Sequence, residues 1–211
     1  MAKAGLGSVV VSEGFEGIKE LSAQLGDLPW GVWTQGLTKE KQEMLKSSGC
    51  DYVVFSAEGT ALESLEEGEM ARVLEVPLDT DEKLLVAIED LPVDAVVFKA
   101  SNKPSSSLSW LMDVAAARKL IDLPALVRLQ GPLAPAALAG LRDVGINGVV
   151  LESGEAGLSV LKELSHAMGG LPQRRKRSER IAPMLPRTAW RSGSTAPKPE
   201  EEEEEDDEEE I

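Results

Sequence analysis

Cysteine and histidine each occur once in this chain, as Cys50 and His166. A single thiol excludes an internal disulfide and any multi-thiolate metal centre, which suits a reducing compartment. Cys50, beside Gly49 at the start of an apolar run, reads as a small core residue. A single imidazole near the C-terminal end of a helical segment reads as a surface or capping residue, and it leaves a histidine-based triad without its base. Long apolar runs are missing too. The opening residues, Met1-Ala-Lys-Ala-Gly-Leu-Gly7, lack the roughly 7–15 apolar residues of a signal peptide, and no run approaches the roughly 20 needed to span a bilayer. A cytoplasmic location is expected, with no membrane partner.

Acid is what the chain has in excess. Its net charge is −15, unevenly placed: residues 1–172 hold 14 basic and 25 acidic side chains, residues 173–191 hold 7 and 1, and residues 192–211 hold 1 and 11. An acidic body repels polyanions at long range, so nucleic acid and anionic lipid are not the expected partners. Arg174-Arg-Lys-Arg177 has the composition of a nuclear-localisation or nucleic-acid patch. Between an acidic body and an acidic tail it reads instead as a solvated linker that pairs transiently with the glutamate run. The basic Pro/Ser/Arg-rich stretch 173–198 and the acidic stretch 199–211 are both expected to be disordered, because neither has the apolar surface to offset its ordering entropy.

Residues 1–172 form the expected folded domain. Seven apolar runs, at 8–11, 30–34, 51–56, 71–76, 95–98, 125–129 and 148–151, alternate with helix-like segments at 13–25, 39–48, 61–67, 81–89, 108–121, 135–144 and 158–168. Thr38 and Thr80 stand where helix N-caps belong, and Gly26, Gly49 and Gly145 where helices close. Strands regularly separated by helices make a parallel sheet, which either closes into a barrel or opens into a doubly wound sheet.

The recurring order of helix end, one or two linking residues and apolar strand is seen in SSGCDYVVFS, LPVDAVVFKA and DVGINGVVLES. It resembles the (β/α)8 or TIM-barrel superfamily over residues 7–172. The resemblance implies an α/β fold, a TIM-barrel-like parallel (β/α) repeat of about seven strands. A full barrel has eight strands and about 250 residues. The barrel is therefore open, completed by a partner in a homo-oligomer, or a shortened version. An open doubly wound sheet is the alternative architecture.

In either sheet, functional groups gather at the carboxyl ends of the strands. Those positions hold Ser12 and Glu13, Thr34 and Gln35, Ser56 and Glu58, Asp79, Lys99 with Ser101 and Asn102, Arg128 with Gln130, and Glu152 with Ser153 and Gly154. Lys99 directly follows an apolar strand, where an amine can act as base or form a Schiff base with a carbonyl substrate, or else pair with Glu75 or Glu152. Arg128 and Gln130 share one face of their strand. The guanidinium fork there suits a carboxylate or phosphate, or an ion pair with Glu152.

Glu58 and Glu152 are the acid or base candidates. Either could join Asp79 on a divalent cation, but no His or Cys cluster accompanies them and no metal site is assigned. The loop Glu152-Ser-Gly-Glu-Ala-Gly157 runs into a helix start, a place that binds phosphate in barrels, although its two glutamates oppose an anion. Trp30 and Trp33 point to opposite faces of one strand and read as packing. No motif assigns a cofactor. Together these residues lead us to expect an enzyme, a lyase or aldolase, acting on a small anionic carbonyl or phosphorylated metabolite. A non-catalytic barrel-like domain that binds a ligand or a protein is the alternative.

Overall fold

The computed structural model describes residues 7–15, 17–66, 70–99, 107–131, 133–152 and 157–170, all within one body, Met1–Arg175. Every apolar run is a strand: β1 Val9–Ser12, β2 Trp30–Thr34, β3 Tyr52–Ser56, β4 Ala71–Pro77, β5 Ala95–Lys99, β6 Ala125–Leu129 and β7 Gly148–Leu151. All neighbouring pairs are parallel, and the order in the sheet is the order in the chain. A doubly wound sheet needs a reversal of strand order. There is none here, so the alternative architecture is corrected to a seven-stranded half-barrel. Among the described residues, β1 and β7 are not paired with each other.

A polar residue just before a strand fixes the start of the preceding strand in the sheet. Asp51 accepts from the Trp30 N–H at 2.9 Å, Asp94 from the Arg72 N–H at 2.7 Å and Asn147 from the Ala125 N–H at 3.0 Å. In the same three pairs the Asp or Asn N–H donates to the carbonyl of Trp30, Arg72 or Ala125. Each pair closes a small ring that leaves no strand-entry amide unpaired, as burial requires. This is the physical content of the repeated Asp or Asn in DYVVF, DAVVF and NGVVL.

The helices α1 Ile18–Leu25, α2 Lys39–Ser47, α3 Glu82–Ala87, α4 Leu108–Leu120, α5 Pro135–Val144 and α6 Gly157–Gly169 connect or follow the strands. Thr38 caps α2 by accepting from the Lys41 N–H at 3.3 Å, as its position predicts. Three expectations are corrected. In place of the helix expected over 61–67, the described residues 61–66 contain one 3₁₀ turn, Leu62–Leu65. The first helix begins five residues later than the spacing of Phe15, Ile18 and Leu21 suggests, since Gly14 and Gly17 adopt the left-handed conformation and interrupt it. The cap of α3 is Asp81, accepting from the Lys83 N–H at 2.9 Å, while the Thr80 hydroxyl turns back to the Pro77 carbonyl at 2.7 Å.

Strand side chains divide by alternation. One set, including Val32, Val53, Phe55, Leu74, Val96, Phe98, Val127 and Leu129, packs in the principal core with Trp110 and Val114 of α4 and Leu141 of α5. Burying side chains of this size contributes roughly 1.5–3 kcal/mol each. The other set, Val10, Trp33, Val54, Val73, Val97, Leu126 and Val150, forms a smaller apolar layer on the opposite, concave face. The readings made for residues 173–211 lie outside the described residues.

Candidate functional site

The concave face changes character two residues further along each strand. Val54 is followed on that face by Ser56, Val73 by Glu75, Val97 by Lys99, Leu126 by Arg128, and Val150 by Glu152. An apolar layer is thus roofed by a polar one at the carboxyl ends of β3 to β7.

Glu75 is the hub of that roof, and its side chain is only 8% exposed. One of its oxygens, Oε2, accepts from the Ser56 hydroxyl at 3.0 Å. The other, Oε1, accepts from Arg128 Nη1 at 3.0 Å and lies 3.9 Å from Lys99 Nζ. A carboxylate this buried is stable only when paired and hydrogen-bonded, and here three strands supply its partners. The Nε and Nη2 atoms of Arg128 both meet Oε1 of Glu152, just beyond β7. Its guanidinium carbon lies 4.6 Å from the centroid of the Trp33 ring, a cation–π contact. Trp33 is on β2 and Arg128 on β6. In a flat sheet four strand spacings would separate them by about 19 Å, so the contact measures how far the sheet has curled.

A second polar cluster joins the loops after β1 and β2. The Thr34 hydroxyl, buried, donates to Glu13 Oε2 at 2.5 Å, and Lys41 Nζ lies 2.6 Å from Glu13 Oε1 and 3.2 Å from the Gly36 carbonyl. The Lys41 ammonium, and next to it the Thr34 hydroxyl, hold the Glu13 carboxyl below its ordinary pKa.

Beyond Glu13 and Thr34 in the second cluster and Ser56 on Glu75, the residues singled out from sequence are brought together only in part. Lys99, Arg128 and Glu152 come together, joined by Glu75. Glu58, Gln130 and Asp79 are exposed and make no hydrogen bond or ion pair among the described residues. Ser101, Asn102, Ser153 and Gly154 lie outside the described residues, as does most of the glycine-containing loop after β7. Cys50 is buried, its thiol 3.1 Å from the Tyr52 carbonyl, and burial pushes its pKa up. His166 is exposed on α6. No group of three or more His, Cys, Asp and Glu side chains among the described residues is placed to hold a metal ion, and no helix among them is long and apolar enough to cross a membrane.

In the sequence Glu75 is only a possible partner for Lys99, and Trp33 reads as packing. The signal for both was the alternation itself. Glu75 ends the same apolar-x-polar series as Ser56, Lys99 and Arg128, and Trp33 lies on the same face.

No family model and no curated protein matches the chain. By fold it is similar to native KDPGal, with a TM-score of 0.59 and 18% identity over 80% of this chain and 82% of that one. It is also similar to a mutant tryptophan synthase alpha-subunit from Pyrococcus furiosus, with a TM-score of 0.55 and 17% identity over 74% and 72% of the two chains. A third likeness is to the YdjI aldolase from Escherichia coli K12, with a TM-score of 0.53 and 14% identity over 79% and 78%. These are likenesses of fold. The chain has the TIM-barrel architecture, with seven parallel strands in a half-barrel.

Proposed function

We propose that this protein is an enzyme of the lyase or aldolase type, acting on a small anionic carbonyl or phosphorylated metabolite at the carboxyl ends of β4 to β7. The observation that carries the reading is the meeting of an amine, a guanidinium and a buried carboxylate in one layer: Lys99 Nζ and Arg128 Nη1 stand 3.9 and 3.0 Å from the same oxygen of Glu75. Arg128 holds the anionic group of the substrate. The Lys99 amine attacks the carbonyl carbon, a C–N bond forms, water leaves, and the resulting iminium accepts the electron pair released when the neighbouring bond breaks. Glu152, at the end of β7 beside the site, moves protons in preference to the exposed Glu58, and Glu75 keeps the amine and guanidinium in place. The YdjI aldolase and the tryptophan synthase alpha-subunit among the similar structures support this reading at the level of fold.

Borohydride reduction in the presence of keto acids, followed by peptide mass mapping, tests it. The expected result is a reduced adduct on Lys99 that is lost in Lys99→Arg. No adduct, with any turnover unaltered in Lys99→Ala, would remove the lysine chemistry.

A second reading has its own support. The four charges of the roof cancel, two cations against two carboxylates, as they would in a non-catalytic domain whose strand ends only satisfy one another. In that case Lys99→Ala and Glu75→Gln change stability and no binding or turnover.

A further inference from the structure

The three sides of the Arg128 guanidinium are not held alike. Its Nη1 side is fixed by Glu75, which is itself buried and tied to Ser56. Its flat face lies against Trp33. Its Nε/Nη2 edge alone is satisfied by an exposed side chain, that of Glu152, which is 47% exposed and sits beyond the end of β7. Two sides are built into the sheet, and the third is covered by a half-exposed side chain just past a strand end.

We infer that Glu152 occupies, as an internal stand-in, the place of a ligand monocarboxylate, and that binding consists of exchanging one carboxylate for the other on the Nε/Nη2 edge of Arg128. The edge is the two-pronged donor that planar carboxylates fit. The charge count selects the ligand's valence. With Glu152 displaced, Lys99, Arg128 and Glu75 leave one net positive charge, which one carboxylate neutralises. A phosphate dianion would bring a second negative charge beside Glu75, which the cluster does not compensate. Glu152 thereby sets a threshold, since only an acid that outcompetes it gains the site. The inference rests on the reading that the strand-end roof is the ligand site, but it needs no chemistry at Lys99.

Equilibrium titration of the full chain with lactate, a monocarboxylate with no ketone or aldehyde to form an imine, separates the two ideas, with inorganic phosphate as the contrasting probe. Glu152→Gln and Glu152→Ala are each expected to bind lactate at least about tenfold more tightly than the unchanged protein, the size of effect that removing a charge-assisted competitor produces. Arg128→Lys, which keeps the charge and loses the two-pronged edge, is expected to reverse that gain. Phosphate affinity should rise less than lactate affinity in both Glu152 variants. Lactate affinity that is unchanged or weaker in both would overturn the inference, and so would an equal or larger gain for phosphate. Absence of a borohydride adduct on Lys99 would sink the lyase reading alone, because lactate binding forms no imine.

Discussion

Gly31 of β2 faces Tyr52 of β3 across one register step, and a β-carbon there would lie 2.4–2.5 Å from the tyrosine ring and its carbonyl oxygen. The ring in turn carries its hydroxyl to the Val9 carbonyl at 2.9 Å, so it bridges three strands at the base of the concave face. Gly31→Ala must push this bridge aside, and is expected to cost about 1–3 kcal/mol, read as a drop in thermal midpoint. A midpoint within error of the parent would mean that the ring has room the geometry denies it. At Glu75, replacement by Ala strands the Ser56 hydroxyl and one side of Arg128 in a half-buried layer, at a cost of about 1–3 kcal/mol. Chemical denaturation of Glu75→Ala beside Glu75→Gln measures it, with Gln expected to recover part of the loss through its carbonyl.

Glu13 makes a prediction in pH. Its carboxyl is held below the ordinary value of 4.5 by Lys41 and Thr34, so the folded chain binds this proton less readily than the unfolded chain. The stability it contributes is complete above that value and is lost as the pH falls through the lowered folded one. Glu13→Gln should therefore flatten the acid limb of thermal midpoint against pH. An equally steep limb in that variant would assign the loss to other carboxylates.

Among the elements, the strands were the legible part. Each is a short apolar run, rich in β-branched residues and bounded by polar ones, and too short for a helix. β2, β6 and β7 match their expected ranges, β3, β4 and β5 differ by one residue at one end, and β1 is shifted by one residue at both. The short acidic connections were harder. Phe15 has helical spacing yet stands 46% exposed, because two left-handed glycines had already decided the backbone. Thr80 and Asp81 are both plausible caps, and only the turn at Pro77 decides between them. The site was half legible: position at strand ends gathers Lys99, Arg128 and Glu152, but Glu75 sits between Leu74 and Val76 inside a strand and shows itself only when faces are counted across neighbouring strands. The cap assignment can be measured. Asp81→Ala should cost about 1 kcal/mol and Thr80→Ala less than about half that. The reverse order in a denaturation series would restore Thr80 as the cap.

For the molecule as a whole, burial is graded across the sheet. The middle residues of β3, β4 and β5 are buried, whereas those of β1 and β7 are half-buried. Amide exchange should follow that gradient. Val53, Val54, Phe55, Val96 and Val97 are expected to exchange at least about tenfold more slowly than Val10 or Val150, since edge strands open without the rest. Uniform protection from β1 to β7 would indicate that something closes the two edges in solution.

Strand order that equals chain order also bears on how the protein is made. A ribosome delivers β1 first, and each later strand finds its template already finished beside it. No strand of the sheet has to wait for one not yet synthesised. The half-barrel can grow at one edge at the pace of translation, one β/α unit at a time.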